Sequence, residues 1–359
     1  MAEVRAAIDR VLTTHRYIGG PEVDALELEL ASYCGTAYAV GVSSGTDALV
    51  VSLLALGLEP GDEVVTTPFT FFATGGSVWR RGGKLRFVDI EPDSFNLDVS
   101  KLEAALTPRT KVILPVHLFG QCTDVPAMQE IIADRPIRVL EDCAQAIGAE
   151  LRGQRAGSMG DLGAFSFFPS KNLGGVGDGG LVTTDDDTLA RRVRMLRNHG
   201  EGAQYVHQLV GGNFRLDAMN AAVLRAKLPC LDAWTEGRRA NAERYCRLFT
   251  EAGLVERGVV LPQDPDPEAG HRHIYNQFVC RFPQRDAVRS ALQQAGIGCA
   301  VYYPIPLHLQ ECFADLGYKP GDFPEAERAA AEVLALPVFP ELLDSQAEEI
   351  VDVIKSVYN

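Results

Sequence analysis

The stretch Ala164-Phe165-Ser166-Phe167-Phe168-Pro169-Ser170-Lys171 places a lysine three residues after a short apolar run. Residues 164–168 are predicted to form a buried strand, and similar runs recur between residues 39 and 184. The predicted strands are residues 39–42, 63–67, 85–89, 111–116, 137–141, 164–168 and 180–184, and the predicted helices between them include residues 46–56, 99–106 and 125–133. Apolar strands separated by helices are typical of a mostly parallel sheet covered on both faces, so this part is predicted to be an α/β domain.

The second half of the chain shows a different pattern. A helical region from residue 216 to about residue 252 is interrupted at Pro229. It is followed by predicted elements that alternate between strand and helix, namely a strand at residues 275–282, a helix at 286–295, a strand at 299–303 and a last helix at about 345–357. We therefore predict a large domain of residues 1–235 and a smaller α+β domain of residues 236–359.

Composition and charge exclude several classes of function. No apolar run approaches the ~20 residues that a membrane span needs, and the N-terminus is charged, so we expect a cytoplasmic protein. The formal net charge is -14, which opposes binding to nucleic acid or to an anionic membrane surface. The eight cysteines are scattered without a Cys-x-x-Cys pair, and His271 and His273 lack neighbouring ligands, so no metal site is expected.

Polar residues follow three of the predicted strands, where ligands collect in an α/β sheet. Ser43-Ser44-Gly45-Thr46-Asp47 opens a helix and could bind an anion through its backbone N–H groups, although simple helix capping is the alternative. Asp142 ends a buried strand and needs a partner, which could be a protonated pyridine nitrogen, an arginine or a metal ion. Lys171 could be a nucleophile with a lowered pKa or an ion-pair partner of Asp142.

The glycines from Gly175 to Gly180 match the pattern G-x-G-x-x-G. A dinucleotide-binding turn must follow a strand and open a helix, whereas this segment runs into an apolar strand. We therefore predict a tight turn behind Lys171 instead of a nucleotide site.

The motifs together resemble one family, the DegT-type, sugar-processing branch of the fold-type-I pyridoxal-phosphate aminotransferases, over nearly the whole chain. The motifs that carry the resemblance are Tyr17-Ile18-Gly19-Gly20-Pro21, Ser44-Gly45-Thr46, Pro68-Phe69-Thr70-Phe71-Phe72-Ala73-Thr74, Glu141-Asp142-Cys143-Ala144-Gln145, Phe165 to Gly174, Gly212-Asn213-Phe214-Arg215-Leu216, Tyr303-Pro304-Ile305-Pro306-Leu307-His308 and Leu336-Pro337-Val338-Phe339-Pro340. The family's fold implies a three-layer large domain and a smaller C-terminal domain.

The resemblance implies pyridoxal 5'-phosphate as the cofactor. Lys171 matches the family's Schiff-base lysine, which also moves a proton between substrate and cofactor. Asp142 matches the carboxylate that keeps the pyridine nitrogen protonated, so that the ring acts as an electron sink. The other matching positions are Gln145, which faces the ring hydroxyl; Phe71, which stacks on the ring; Gly45, Thr46, Asp47 and Ser166, which surround the phosphate, Asp47 through its backbone N–H; and Asn213, which reaches the phosphate in the partner subunit.

The implied reaction transfers an amino group from L-glutamate to a keto sugar linked to dTDP or UDP, in amino-sugar biosynthesis. Each site would need two chains of a homodimer. Arg215 is expected to contact the anionic substrate across the interface, with Tyr17, Tyr303 and His308 as further candidates; a structural role for His308 is an equal alternative. Residues 167–175 are most similar to family members that aminate carbon 3 of the sugar.

Several alternatives remain open from the sequence. A keto-cyclitol is the alternative substrate, and a catalytically silent regulator with the same fold would be expected to have lost Lys171 or Asp142. A nicotinamide-binding protein would use the glycines at 175–180. Two positions depart from the family pattern: Cys143 replaces the usual alanine, with little effect expected, and Asn220 replaces a common glutamine, with an effect that the sequence leaves open.

Overall fold

The computed structural model describes residues 2–263 and 267–358. Its helices are α1 (Ala2–Thr14), α2 (Pro21–Cys34), α3 (Gly45–Ala55), α4 (Phe72–Arg80), α5 (Leu102–Ala105), α6 (Val125–Ile132), α7 (Asp187–Arg197), α8 (Ala218–Lys227), α9 (Leu231–Glu251), α10 (Arg285–Gln294), α11 (Pro324–Glu332) and α12 (Asp344–Tyr358). Its strands are β1 (Tyr38–Val42), β2 (Glu63–Thr66), β3 (Lys84–Phe87), β4 (Thr110–Ile113), β5 (Arg138–Asp142), β6 (Glu150–Leu151), β7 (Gln154–Arg155), β8 (Leu162–Ser166), β9 (Gly180–Thr184), β10 (Glu201–Ala203), β11 (Val206–His207), β12 (Phe278–Arg281) and β13 (Val333–Leu336).

Seven of these strands form the central sheet in the order β1-β9-β8-β5-β4-β2-β3. The pairs β2–β3, β2–β4, β4–β5 and β5–β8 are parallel, whereas β9 pairs antiparallel with both β8 and β1. The prediction of a mostly parallel sheet is therefore confirmed. The carboxyl ends of β1, β5 and β8 lie along the same edge, and this edge carries the candidate site.

Successive side chains in the sheet point to opposite faces, and both faces are buried. Val65, Ile113 and Val139 contribute to one apolar core, together with residues of α2, α6 and α8. Their neighbours Val64 and Val112 belong to the other core, with residues of α3 and α7. The alternation explains why the strands are apolar throughout and gives the three layers that the resemblance implied.

A smaller unit is built on the antiparallel pair β12–β13. α10, α12 and the second half of α9 pack around this pair and share a core that includes Tyr245, Phe278 and Ile350. The predicted domain boundary at residue 235 falls inside α9, which runs unbroken from Leu231 to Glu251. The predicted interruption of the preceding helical region is confirmed, because a 3-10 turn at Leu228–Cys230 contains Pro229.

The predicted strand at residues 299–303 is wrong for most of its length. Within it, Ala300 forms an isolated bridge to Ala335. Pro304 and Pro306 follow directly, and proline lacks the N–H that a strand ladder requires. Among the described residues, no helix has the length and apolar character that crossing a membrane would require.

Candidate active site

Asp142, the last residue of β5, lies at the centre of the site and is only 5% exposed. Its Oδ2 accepts a hydrogen bond from Thr74 Oγ1 at 2.8 Å, and its Oδ1 accepts one from the backbone N–H of Ala144 at 3.2 Å. Burial raises the pKa of Asp142, although these hydrogen bonds and the nearby charge of Lys171 act in the opposite direction. The carboxylate makes no ion pair with any described residue, so a cationic partner would offset its cost of burial.

The hydroxyl of Thr74 is itself part of a chain, because Thr70 Oγ1 lies 2.9 Å away. An ionised carboxylate only accepts hydrogen bonds, so Thr74 donates to Asp142 and Thr70 donates to Thr74. Sequence interpretation gave neither threonine a role. The available signal was the presence of two threonines in the motif that leads into α4, Thr70 two residues before the helix and Thr74 in its first turn.

Lys171 lies in the turn after β8 and is partly buried. Its backbone N–H bonds to Phe168 O at 2.8 Å and closes the turn. Burial lowers the pKa of Lys171, and the charge of Asp142 opposes that shift. The Nζ atom makes no hydrogen bond or ion pair with the described residues, so the interpretation of Lys171 as the ion-pair partner of Asp142 does not fit. A lysine with a lowered pKa is available as a neutral nucleophile or base.

The glycine turn, residues 174–179, follows Lys171 and connects β8 to the antiparallel β9. It therefore joins two strands, and the match to a dinucleotide-binding motif is confirmed to be spurious. Gly175 N–H bonds to Phe167 O at 2.8 Å. Buried Asn220 holds the outer part of the turn, since its Oδ1 accepts from Val176 N–H at 3.0 Å and its Nδ2 donates to Asp178 O at 2.8 Å. This contact is the structural consequence of Asn220 that the sequence left open.

The N-terminus of α3 faces the end of β8. Ser44 caps the helix, because its Oγ accepts from Asp47 N–H at 3.0 Å, which leaves the backbone N–H groups of Gly45 and Thr46 without an intrahelical acceptor. A Cβ atom at position 45 would lie 2.6 Å from Ser166 Cβ, so glycine is required for this close approach. The two elements together place hydroxyl and N–H groups where an anion could bind.

Phe71 and Gln145, which were predicted to stack on a cofactor ring and to face its hydroxyl, both lie next to Tyr303. Gln145 Nε2 lies 3.0 Å from Tyr303 Oη, and Gln145 Oε1 accepts from Phe119 N–H at 2.7 Å. The Phe71 ring is 58% exposed and its centre lies 6.2 Å from that of Tyr303. The sequence placed Tyr303 among substrate contacts, whereas the structure puts it beside these two residues.

Asn213 and Arg215 form a second group near the end of β1, and Tyr17 joins the same segment through its carbonyl, which accepts from Ala218 N–H at 2.9 Å. The segment that carries Asn213 and Arg215 is tied to β1 through Ser43 N–H, which bonds to Phe214 O at 2.9 Å. Asn213 is exposed, and Arg215 donates to Asn198 Oδ1 at 2.6 Å. Arg215 also borders a cavity of about 440 Å³ that is lined by further arginines of α7, namely Arg191, Arg194 and Arg197.

His308 is not brought into either group. It is 2% exposed, its Nε2 lies 3.1 Å from Glu327 Oε1, and its ring packs edge-on against Phe323 with centres 4.8 Å apart. These contacts favour the structural alternative, and a substrate role for His308 stays a prediction.

A buried group next to Asp142 has the composition of a metal site, with ligand atoms of His117, Glu141 and Cys143 within 4.8 Å of one another. Hydrogen bonds already use these atoms. His117 Nδ1 accepts from Thr123 N–H, so Nε2 carries the proton and donates to Glu141 Oε2 at 2.7 Å. Glu141 accepts three more bonds, from the N–H groups of residues 157, 159 and 160. His117 and Glu141 therefore form a polar pair whose hydrogen-bonding atoms all have partners, and this pair fixes β5.

The groups at this edge of the sheet fit pyridoxal phosphate. Asp142 offers a buried carboxylate without a cationic partner, which suits a protonated pyridine nitrogen. Lys171 offers an unpaired amine in an environment that lowers its pKa. The free N–H groups at the start of α3 suit a phosphate, and the exposed ring of Phe71 suits stacking on a flat ring.

Comparison with known proteins gives a consistent result. Residues 1–355 match the model of the DegT/DnrJ/EryC1/StrS aminotransferase family. A "pleiotropic regulatory protein" of Geobacillus stearothermophilus is 47% identical over 99% of this chain and 94% of its own length. A UDP-N-acetyl-3-dehydro-alpha-D-glucosamine 3-aminotransferase of Acidithiobacillus ferrooxidans is 46% identical over 98% of this chain and 93% of its own length.

A solved structure shares the fold as well. The crystal structure of Streptomyces venezuelae DesV in complex with a ketimine intermediate superposes with a TM-score of 0.94 at 42% identity, covering 99% of this chain and 94% of that one. The match to the family model covers nearly the whole chain, and the relatives do the same. The chain therefore belongs to the DegT/DnrJ/EryC1/StrS aminotransferase family.

Proposed function

We propose that this aminotransferase uses pyridoxal phosphate to move an amino group from L-glutamate to the keto group of a nucleotide-linked sugar. The observation that carries the proposal is the pair Asp142 and Lys171: a buried carboxylate and a partly buried amine, electrostatically coupled, neither of which makes an ion pair with a described residue. Such a pair is costly in a folded protein unless a ligand completes it. A pyridoxal ring, which has a basic nitrogen and a carbonyl, provides a partner for each.

Pyridoxal phosphate, when bound, supplies an electron sink that stabilises negative charge on the carbon next to the transferred nitrogen. Asp142, kept ionised by Thr74 and by a cationic partner, would hold a proton on the ring nitrogen. Lys171 Nζ, as a neutral amine, would accept the proton of the substrate carbon and return it, which is general acid–base catalysis by one group. Phe71 and Gln145 would hold the ring in one orientation, so that the proton is transferred on the side of the ring that Lys171 Nζ faces.

The second substrate is proposed to be a keto sugar on a nucleoside diphosphate, dTDP or UDP. Such a molecule is anionic while the chain carries a formal charge of -14, so binding needs a local cluster of cations. The 440 Å³ cavity is lined by Arg215 and the α7 arginines, and also by Asp24 and Glu201. Arg191 and Arg197 form ion pairs with Asp187 and Glu27, so Arg194 and Arg215 are the cations proposed to meet the diphosphate. Because Asn213 and Arg215 lie on one short segment and Asn213 is exposed, we propose that this segment completes the site of a partner subunit in a homodimer.

Carbon 3 is the proposed position of amination. The similarity of residues 167–175 to family members that aminate carbon 3 supports this choice, and the relative from Acidithiobacillus ferrooxidans is by name a 3-aminotransferase. A free keto-cyclitol lacks the diphosphate that the arginine cluster would recognise, so it fits the structure less well.

The test is a visible spectrum of the purified protein reconstituted with pyridoxal phosphate, recorded before and after L-glutamate is added. Wild type is expected to show a cofactor band that glutamate bleaches and a 3-keto nucleotide sugar restores. Lys171→Ala should lose the bleaching by glutamate, whereas Lys319→Ala, at an exposed lysine in the C-terminal part of the chain, should keep it. Wild type without a band, or a Lys171→Ala variant that still turns over, would refute the proposal, and restoration by a keto-cyclitol alone would reassign the substrate.

A further inference from the structure

Tyr303 lies beside Gln145 and packs against aromatic residues of the site. It is partly buried, and its ring centre lies 6.1 Å from that of Phe69 and 6.2 Å from that of Phe71. Burial raises the pKa of Tyr303 above its usual value, so the phenol keeps its proton at physiological pH. The residue therefore offers a neutral hydroxyl to whatever binds next to Phe71.

The hydrogen bonds of Gln145 determine the direction in which this hydroxyl donates. The backbone N–H of Phe119 can only donate, so the amide atom of Gln145 that lies 2.7 Å from it must be the oxygen. The other amide atom is then the nitrogen, which donates to Tyr303 Oη over 3.0 Å. Because Tyr303 Oη is the acceptor in this bond, its own proton is left for another acceptor. The described residues provide no such acceptor for it.

We propose that Tyr303 donates its hydroxyl proton to the oxygen substituent of the bound pyridoxal ring, next to Gln145. This inference rests on the proposed cofactor, and it assigns to Tyr303 a role in tuning the cofactor instead of contacting the sugar. A hydrogen bond to an anionic oxygen stabilises the anion. The Tyr303 hydroxyl would therefore favour the deprotonated form of the bound cofactor and lower the pH at which its visible band changes.

The effect of the Tyr303 hydroxyl on the pKa of the cofactor can be distinguished from the effects of the other groups near the ring oxygen. Asp142 and Lys171 are charged groups near the ring, His117 acts on Asp142, Asp47 lies at the start of α3, and Tyr302 is the other phenol beside Tyr303. All five are retained when only the Tyr303 hydroxyl is removed. Gln145 cannot swing to compensate, because its oxygen stays anchored on Phe119 N–H.

The experiment is a pH titration of the visible cofactor band of the resting holoenzyme, with neither substrate present. Tyr303→Phe removes a hydrogen bond to a charged oxygen, so it is expected to raise the midpoint of the titration by about one to two pH units. Tyr302→Phe is the matched control, since it removes a neighbouring hydroxyl that has no bond to Gln145, and its midpoint should equal that of wild type.

A second substitution tests the same bond in the opposite direction and does not depend on the stability of Tyr303→Phe. Replacing Tyr303 with 3-fluorotyrosine gives a more acidic phenol of nearly the same size, so the midpoint should fall. Unchanged midpoints in both variants would overturn the inference, and a rise in KM for the nucleotide sugar with an unchanged resting midpoint would assign the hydroxyl to the substrate. Failure of wild type to bind pyridoxal phosphate would instead refute the proposed function.

Discussion

Thr74→Val tests how much the threonine chain contributes to the state of Asp142. The Thr74 hydroxyl lies 2.8 Å from Asp142 Oδ2, and the two residues are 1% and 5% exposed, so water cannot easily replace the bond. A hydrogen bond to a charged group is worth about 1.5–3 kcal/mol. Because the bond stabilises only the ionised carboxylate, its loss should raise the pKa of Asp142 by a further one to two units or so. The ionised form is the one that would pair with a cationic ring, so affinity for pyridoxal phosphate should fall about tenfold for each pH unit by which the assay lies below the raised pKa of Asp142, to a limit of roughly 10- to 150-fold.

The assay is the dissociation constant of pyridoxal phosphate, measured by fluorescence titration of the apo-protein. Thr74→Ser keeps the hydroxyl and should remain close to wild type, which separates the hydrogen bond from general packing. Thr70→Val removes the donor to Thr74, 2.9 Å away, and should have a smaller effect because the bond to Asp142 survives. Equal affinities for Thr74→Val and Thr74→Ser would contradict the role given to Thr74.

Substitutions at three further positions address the phosphate site, the glycine turn and Lys171. Gly45→Ala places a Cβ 2.6 Å from Ser166 Cβ, so urea unfolding should show a loss of about 1–3 kcal/mol, together with weaker binding of pyridoxal phosphate. Asn220→Ala should lower hydrogen-exchange protection of the Val176 amide, while Asn220→Asp, which keeps the acceptor oxygen, should lower it less. Burial lowers the pKa of Lys171, so between the lowered pKa and about 10.4 the unfolded chain binds more protons than the folded chain. The free energy of unfolding of the ligand-free wild type should therefore increase as the pH rises through this range. Lys171→Met should lose this increase in urea titrations at several pH values.

The part of the site formed at strand ends could be predicted from the sequence. Asp142 and Ser166 end β5 and β8, and Lys171 follows β8, so the apolar runs before them fix their position along the sheet. Parallel neighbours bring their carboxyl ends to one edge, which places these residues together without knowledge of packing details. The strand predictions in this region were confirmed to within a few residues at their ends.

Contacts between segments distant in sequence could not be predicted in the same way. Tyr303 and Gln145 are separated by 158 positions, and no local pattern indicates which strand end a distant loop will reach. β13 and α11 were missed because residues 324–336 run from an acidic, alanine-rich helix directly into a short apolar strand, without a turn signal between them. The prediction of a strand at residues 299–303 was wrong for a related reason. A strand needs a hydrogen-bonding partner along its whole length, and a local apolar run does not show whether one is present.

Polar residues that support the fold have a hydrogen-bond partner for each of their polar atoms, whereas some of the residues that we assign to function do not. Glu141 and His117 are fully buried, and each of their bonding atoms has a partner, so they lower the cost of burying polar groups in the core. Arg215 Nε is buried without such a partner among the described residues, although burying an unsatisfied donor costs about 1–3 kcal/mol. Lys171 is partly buried, and its Nζ also makes no hydrogen bond or ion pair with the described residues. His308 also keeps an unpaired Nδ1, but its other contacts face Glu327 and Phe323, away from both groups of site residues. An unsatisfied donor therefore indicates function only where a second group faces the same space, as Asp142 does for Lys171 and the α7 arginines do for Arg215.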